Sequence, residues 1–327
     1  MNYIFKVYND GNQEYFTWEA NTRYYTTKKI IKKDFDFSQS LLDFIDLGVD
    51  ELYEIFIGMG NEVQKLYEDK DGDTIVLRKS FDLLAEKHIY FQLLRLHWFD
   101  KLEIFVKKEY GGNIQDFLFY KDLTHISVKI GAAQNQIKFI FNKALDITAG
   151  SDKTIQQRVA SLYENNIRNA HKIFEFQPLT IDFERIDDSL IVEVLHPKSI
   201  IDIVDYFLRE IIRREIGFKV CKSCGKYFAA TAHGNTEFCN RIFQDTGKTC
   251  RDIGSLTKWR EKVAESPAMM LYNKHYKTRF SRIRAGKITR EVFQEWAAIA
   301  RDYRDKVTND EMLLDEFEDW LKSGRWV

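Results

Sequence analysis

Apolar and polar residues alternate at the start of the chain: Tyr3-Ile4-Phe5-Lys6-Val7-Tyr8, a turn at Asp10-Gly11, then Tyr15-Phe16-Thr17-Trp18. Alternation on both sides of an Asp-Gly turn predicts a β-hairpin. From about Gln39 to Tyr67 the period changes. Leu42, Ile45, Leu52, Ile55, Phe56, Val63 and Leu66 roughly follow helical spacing, and a second helical stretch runs from Phe81 to about Lys108, where Gly111-Gly112 breaks it. Between the two, Asp69-Lys70-Asp71-Gly72-Asp73 reads as a hairpin turn leading into Thr74-Ile75-Val76-Leu77. Residues 116–149 are ambiguous and are assigned to helix. Ser151 is placed to cap a helix through Ile155, Val159, Leu162, Ile167 and Ile173. Thr180-Ile181-Asp182-Phe183 and Leu190 to Leu195, around Asp187-Asp188-Ser189, predict another hairpin.

The clearest element follows Pro197. Ser199 is a good N-cap with Asp202 three residues on, and Ile200, Ile201, Val204, Phe207, Leu208, Ile211 and Ile212 form a wide apolar stripe. Gly217 suits the stop. Further on, one helix runs from Ile253 or Leu256 towards Glu265, and a second restarts at Ser266-Pro267 and ends at Gly286. Thr289 caps a third, and Asn309 a last one through Leu313, Phe317 and Leu321. The pattern is that of a mainly α protein with small β elements (α+β). It divides into residues 1–217, an α+β region ending in the long helix; residues 218–265, a metal module; and residues 266–327, a helical domain.

Composition narrows the class. A chain of 327 residues can hold two or three domains, and 44% hydrophobic with 30% charged residues is ordinary for a globular protein. No apolar run is long enough to span a membrane, and residues 1–8 lack the layout of a secretory signal, so a cytoplasmic protein is expected. In that compartment thiols stay reduced, and closely spaced cysteines favour metal over disulfide.

The chain has four cysteines, spaced Cys221-x2-Cys224, then Cys239, then Cys250. A Cys-x2-Cys followed by Gly225 has the shape of a zinc knuckle, whose tight turn aims two thiolates at one point. Zn2+ takes four ligands in a tetrahedron, so Cys221, Cys224, Cys239 and Cys250 are expected to hold one structural zinc per chain. His233, in the His233-Gly234-Asn235 turn, is an alternative to one of them. Lys222, Lys226 and Arg251 stand beside the ligands, where positive charge offsets the excess negative charge of a four-thiolate zinc centre.

The segments Phe218 to Phe228, Phe238-Cys239-Asn240-Arg241 and Thr249-Cys250-Arg251-Asp252 resemble a bacterial group of uncharacterised zinc-finger proteins. The first half is also similar to the CGNR-type fingers, although the Cys-Gly-Asn-Arg tetrapeptide is absent. The resemblance covers roughly residues 197–300. It implies zinc and, more distantly, DNA binding; knuckle, hairpin and a ligand at a helix start come close to a treble clef.

Charge changes the picture most. Residues 219–290 carry sixteen Lys and Arg against five Asp and Glu, a balance of +11, while residues 1–218 stand at −7. Lys258, Arg260, Lys274, Lys277, Arg279, Arg282, Arg284 and Lys287 are interleaved with Trp259, Tyr272, Tyr276 and Phe280. Cationic arms suit phosphates and aromatic rings suit unpaired bases, so these eight are the candidate nucleic-acid contacts. The competing expectation is a solvated face paired with the acidic half. No phosphate loop, dinucleotide fingerprint or nucleophile elbow occurs. Asp69 to Asp73 fails as a calcium loop, because a start at Asp69 puts Ser80 where a bidentate Glu is needed. Arg168-Asn169-Ala170-His171 has ribonuclease residue types at too short a spacing. Three functions therefore stand: a nucleic-acid-binding or regulatory protein; a protein-interaction module with zinc as a staple; and a nuclease or toxin-like effector acting through residues 1–217.

Overall fold

The computed structural model describes residues 3–20, 29–69, 72–148, 150–166, 172–186, 188, 190–230 and 236–323. Strands β1 (Phe5–Asn9) and β2 (Gln13–Ala20) form the first hairpin, with Val7 opposite Phe16. Asp10 Oδ1 accepts the backbone N–H groups of Asn12 and Gln13 at 2.9 Å each, while Gly11 takes φ 104°. That left-handed position needs a residue without a Cβ. β3 (Lys29–Asp36), which no sequence pattern announced, pairs along the whole of β2. The second hairpin, β4 (Ile181–Arg185) and β5 (Ile191–Leu195), joins the sheet through β5 and β1, giving the antiparallel order β3-β2-β1-β5-β4. Segments some 180 residues apart thus share one sheet, with helices inserted between them.

Those helices depart from the sequence expectation in four places. The stretch from Gln39 is two helices, α1 (Gln39–Ile45) and α2 (Val49–Glu68), parted by the extended Gly48. Buried Gln134 donates to Phe44 O (2.7 Å) and Leu47 O (3.1 Å), satisfying carbonyls that a continuing helix would have used. Thr74 to Leu77 is no hairpin strand, because α3 (Ile75–Lys87) starts there and Asp73 Oδ1 accepts the Ile75 N–H at 2.8 Å. Lys70 and Asp71 of the expected turn lie outside the described residues. α4 (Phe91–Val106) is separate from α3, with buried His88 at the break. The ambiguous stretch is helical: α5 (Ile114–Phe117), α6 (Lys121–Thr124), α7 (Ile126–Ile140) and a π-helical turn at Phe141–Leu145. Thr154, rather than Ser151, caps α8 (Ile155–Asn166), accepting from Gln157 N at 3.2 Å.

α9 (Ile200–Arg213) forms as its stripe predicts, with a reciprocal Ser199–Asp202 capping box. Phe207 packs 5.9 Å from Phe16, which also meets Tyr90 at 5.9 Å, so the helix covers one face of the sheet. Its stop is a correction: Glu215, not Gly217, takes the left-handed φ of 53°. Gly217 serves packing instead, since a Cβ there would lie 2.4 Å from Ile147. α9 also buries Asp205, which accepts from Gln177 N at 2.6 Å and pairs with Arg209, and Glu210, which holds Arg213 and Arg214.

The chain divides into two compact units, Met1–Val220 with Lys226–Thr236, and Cys221–Gly225 with Glu237–Val327. The first ends in a small hairpin, β6 (Phe218–Val220) and β7 (Tyr227–Ala229), anchored by Phe141 against Phe218 at 4.6 Å. The second holds α10 (Cys250–Glu265), α11 (Pro267–Arg284), α12 (Arg290–Thr308) and α13 (Leu314–Lys322). Pro267 opens α11 and Thr289 caps α12 as expected, and Ser266 caps α11 by accepting the Met269 N–H. Asn309 is the C-cap of α12 rather than the N-cap of α13, whose first turn is held by Glu316 accepting the Leu313 N–H. Phe293, Trp296, Ala297, Ala300, Phe317 and Leu321 form its core. Fold class is therefore mainly α with a small antiparallel sheet, α+β. Among the described residues no helix is long and apolar enough to cross a membrane.

Candidate metal centre

Two turns and a helix start bring the cysteines together. Gly225, at φ 72°, donates its N–H to Cys221 O at 2.9 Å and closes the knuckle over Cys221 and Cys224. Lys222 N donates to Glu237 O at 3.0 Å, which draws the Glu237–Cys239 segment alongside. Cys250 is the first residue of α10, capped by Thr249 in a reciprocal box with Asp252, and Cys250 N donates to Arg241 O at 2.9 Å. Arg251 N reaches Cys239 O at 3.0 Å.

The four sulfur atoms lie within 4.8 Å of one another. Cys224 Sγ and Cys239 Sγ are 3.7 Å apart. A tetrahedron with metal–sulfur bonds of about 2.3 Å has edges of about 3.8 Å, so the spacing fits an ion at the centre. Burial pushes the Cys221 thiol up, but backbone N–H groups, led by that of Cys239 at 3.3 Å, outweigh it and bring the thiol down to about 7. Burial raises the Cys239 thiol, and raises that of Cys250 further with the neighbouring sulfurs adding to it. A central cation would reverse that repulsion by stabilising every thiolate at once.

Burial is what sets this module apart. Among the described residues of 221–225 and 237–265, only Cys221, Cys239, Cys250 and Gly254 are buried. The thiols occupy the place that an apolar core holds in an ordinary domain. Gly254 is there for contact: a Cβ would meet the Phe238 ring at 2.3 Å. Gly254→Ala gains about 1 kcal/mol of helix propensity, but overpacking against a ring beside a ligand costs about 1–3 kcal/mol. The variant is expected to lose metal to a chelator faster than the parent, and Phe238→Leu in the same chain to restore the parental rate.

The flanking charges are used differently from the sequence expectation. Lys222 pairs with Glu237 at 3.1 Å, Lys258 pairs with the same carboxylate, and Lys226 pairs with Asp46 at 3.5 Å. Glu237 was not foreseen; its position two residues before a ligand is the only signal. Lys258 is thus tied to a carboxylate. Arg279 is buried, 6% exposed, with its guanidinium 4.8 Å from the Trp296 ring centre, and stands in the core rather than on a surface. Its spacing on the helix matched the exposed cations, and nothing in the sequence marked it as the one turned inward.

Arg260, Lys274, Lys277, Arg282, Arg284 and Lys287 are exposed, and none makes an ion pair among the described residues. Lys274, Lys277 and Arg284 share one side of α11 by spacing, and Arg282 lies further round. Arg290 and Arg301, on α12, line a groove with Lys277. Arg301 escaped the sequence argument because it lies beyond the basic run, although eleven residues, three helical turns, separate it from Arg290. His233 and Arg168 to His171 lie outside the described residues.

Residues 175–323 are similar to a family of unknown function (DUF6076). The match takes in the second hairpin, α9, all four cysteines and the helices through α13. No curated protein and no solved structure matches the chain.

Proposed function

We propose that this chain is a nucleic-acid-binding protein whose four-cysteine centre holds one structural zinc ion. Four thiolates complete a tetrahedral shell and leave no position for a reacting water, so the ion acts on structure alone. The knuckle at Cys221 to Gly225 and the ligand at the start of α10 are the features behind the likeness to CGNR-type, treble-clef fingers. The module they define, 218–265, carries α10 towards the helical segment 266–327.

The observation that carries the binding function is the set of exposed cations on and beside α11: Arg260, Lys277, Arg282, Arg284 and Lys287 make no ion pair among the described residues, whereas Lys274 has Glu318 as a neighbour. Long cationic side chains that no protein acid neutralises are suited to phosphates, and they bind with little regard to sequence. In a binding assay the protein is expected to hold duplex and single strands at low salt and to release them steeply as salt rises. Replacing Lys277, Arg282 and Lys287 together by Glu should weaken binding to every sequence. It should also lower the log–log salt slope by about 0.9 for each phosphate that the variant no longer neutralises. Absence of any complex at low salt would overturn the assignment.

A protein-interaction module is the second possibility, favoured by one observation. Edge strand β4 and its neighbour β5 expose Phe183 at 75% and Ile191 at 68%, large apolar side chains on a sheet edge.

A further inference from the structure

A groove of about 560 Å³ opens between α10, α11 and α12, within the second unit. Trp259 of α10 and Tyr272, Tyr276 and Phe280 of α11 supply its aromatic lining, with Phe293 of α12 set 5.6 Å from Phe280. Lys277, Arg290 and Arg301 supply its charge, and among the described residues no carboxylate lines it. Trp259 and Phe280 are 45% and 42% exposed, whereas Trp296 of the same unit is 1% exposed. The core of this unit therefore buries large rings where it can, and these two are left open beside cations.

We infer that the groove takes unpaired nucleotides of a single-stranded nucleic acid, with bases against Trp259 and Phe280 and phosphates on Lys277, Arg290 and Arg301. The inference rests on the nucleic-acid assignment above and goes beyond it by fixing which strand form is preferred and where it sits. Flat rings gain from a ligand that offers flat faces, and every unpaired base has one. A duplex keeps its bases stacked inside and presents phosphates alone, which the exposed side of α11 already serves. An acidic peptide would satisfy the three cations but leave the rings in water. The volume falls within the range of about 300–1,000 Å³ of sites that enclose a small ligand.

The test uses the full-length protein with a fluorescein-labelled oligothymidylate and a blunt duplex of equal length. The single strand is expected to bind about tenfold or more tightly than the duplex. Trp259→Ala with Phe280→Ala should lower single-strand affinity by about ten- to a hundredfold, while duplex affinity changes less than about twofold. An oligonucleotide carrying 5-iodouracil should photocrosslink within the groove of the unaltered protein, a readout that does not depend on how the variant folds. Equal binding of both forms, equal losses for both, or crosslinks confined to other helices would overturn the groove and leave the broader assignment standing. No binding of either form would end both. Binding of polyglutamate at Lys277, Arg290 and Arg301 without any binding of the oligonucleotide would reassign the groove to an acidic peptide.

Discussion

Cys250→Ser is expected to empty the metal centre and unfold the module around it. Cys250 is fully buried, and it ties the start of α10 to the knuckle through its sulfur. The segments around the cysteines have no apolar core to fall back on, because among the described residues of 221–225 and 237–265 only three of the cysteines and Gly254 are buried. Metal binding in small modules of this kind supplies about 10–16 kcal/mol of folding free energy, far above what a few half-buried rings such as Phe238 and Phe243 offer. The parent chain should carry about one zinc, with zinc–sulfur distances of about 2.3 Å. The variant should carry little zinc and exchange amide hydrogens freely from Glu237 to Glu265, as should the parent after prolonged chelation. β1, β2 and α9 should keep their protection, since the core that holds them contains no cysteine. A variant that retains full zinc, or a parent that contains iron instead, would contradict the assignment.

The second large effect is a dependence of stability on pH set by a buried polar cluster in the first unit. Ser40 N donates to Glu14 Oε2 at 3.1 Å, Ser40 Oγ meets the Tyr90 hydroxyl at 3.0 Å, and His88 Nε2 lies 3.0 Å from Ser40 O. Glu14 is 0% exposed, and burial pushes its carboxyl up to about 8 despite hydrogen bonds from Ser40 and the Ser38 backbone. Burial likewise holds His88 down at about 4. The signs follow from which state keeps the proton. Folded Glu14 holds a proton that the unfolded chain releases above about 4.5, so its contribution is full below that pH and is lost as pH rises through about 8. Folded His88 refuses a proton that the unfolded chain takes up below about 6.5, so its contribution is lost as pH falls towards 4.

Between pH 4.5 and 6.5 the two slopes oppose each other, which places the stability plateau there. From 6.5 to 8 only Glu14 acts, and the full Glu14 effect is on the order of 5 kcal/mol. Glu14→Gln should therefore flatten the alkaline limb above pH 6.5 and, with the opposing slope gone, turn the plateau between 4.5 and 6.5 into a loss of stability towards acid set by His88. Melting temperatures of parent and variant across pH 4 to 9 measure this directly, since other groups cancel in the difference. Parallel curves above pH 6.5 would show that Glu14 ionises normally in the fold.

Several features were legible because their causes are local. Asp10-Gly11 makes its turn with its own backbone, Ser199 and Asp202 cap α9 across three residues, and Pro267 sets the start of α11 by its fixed φ. The four cysteines belong with these, because a knuckle and a helix start place ligands by short-range geometry and the metal chemistry accepts few other arrangements.

What the sequence determined alone was thus the α+β class, the long helix α9, the cysteine cluster and the basic segment. Tertiary structure decided the rest, because those features depend on partners far away in the chain. Gly48 separates α1 from α2 where buried Gln134, some ninety residues on, supplies the missing hydrogen bonds. Thr74 to Leu77 has the β-branched residues of a strand, but Leu77, Phe81 and Leu84 are buried together only as one face of a helix. Arg279 and Lys277 look alike in sequence, and the Trp296 ring 4.8 Å from one of them makes the first a core residue and leaves the second for solvent. The groove gathers Trp259, Lys277 and Arg301 from three helices, and only packing brings such separated positions to one wall.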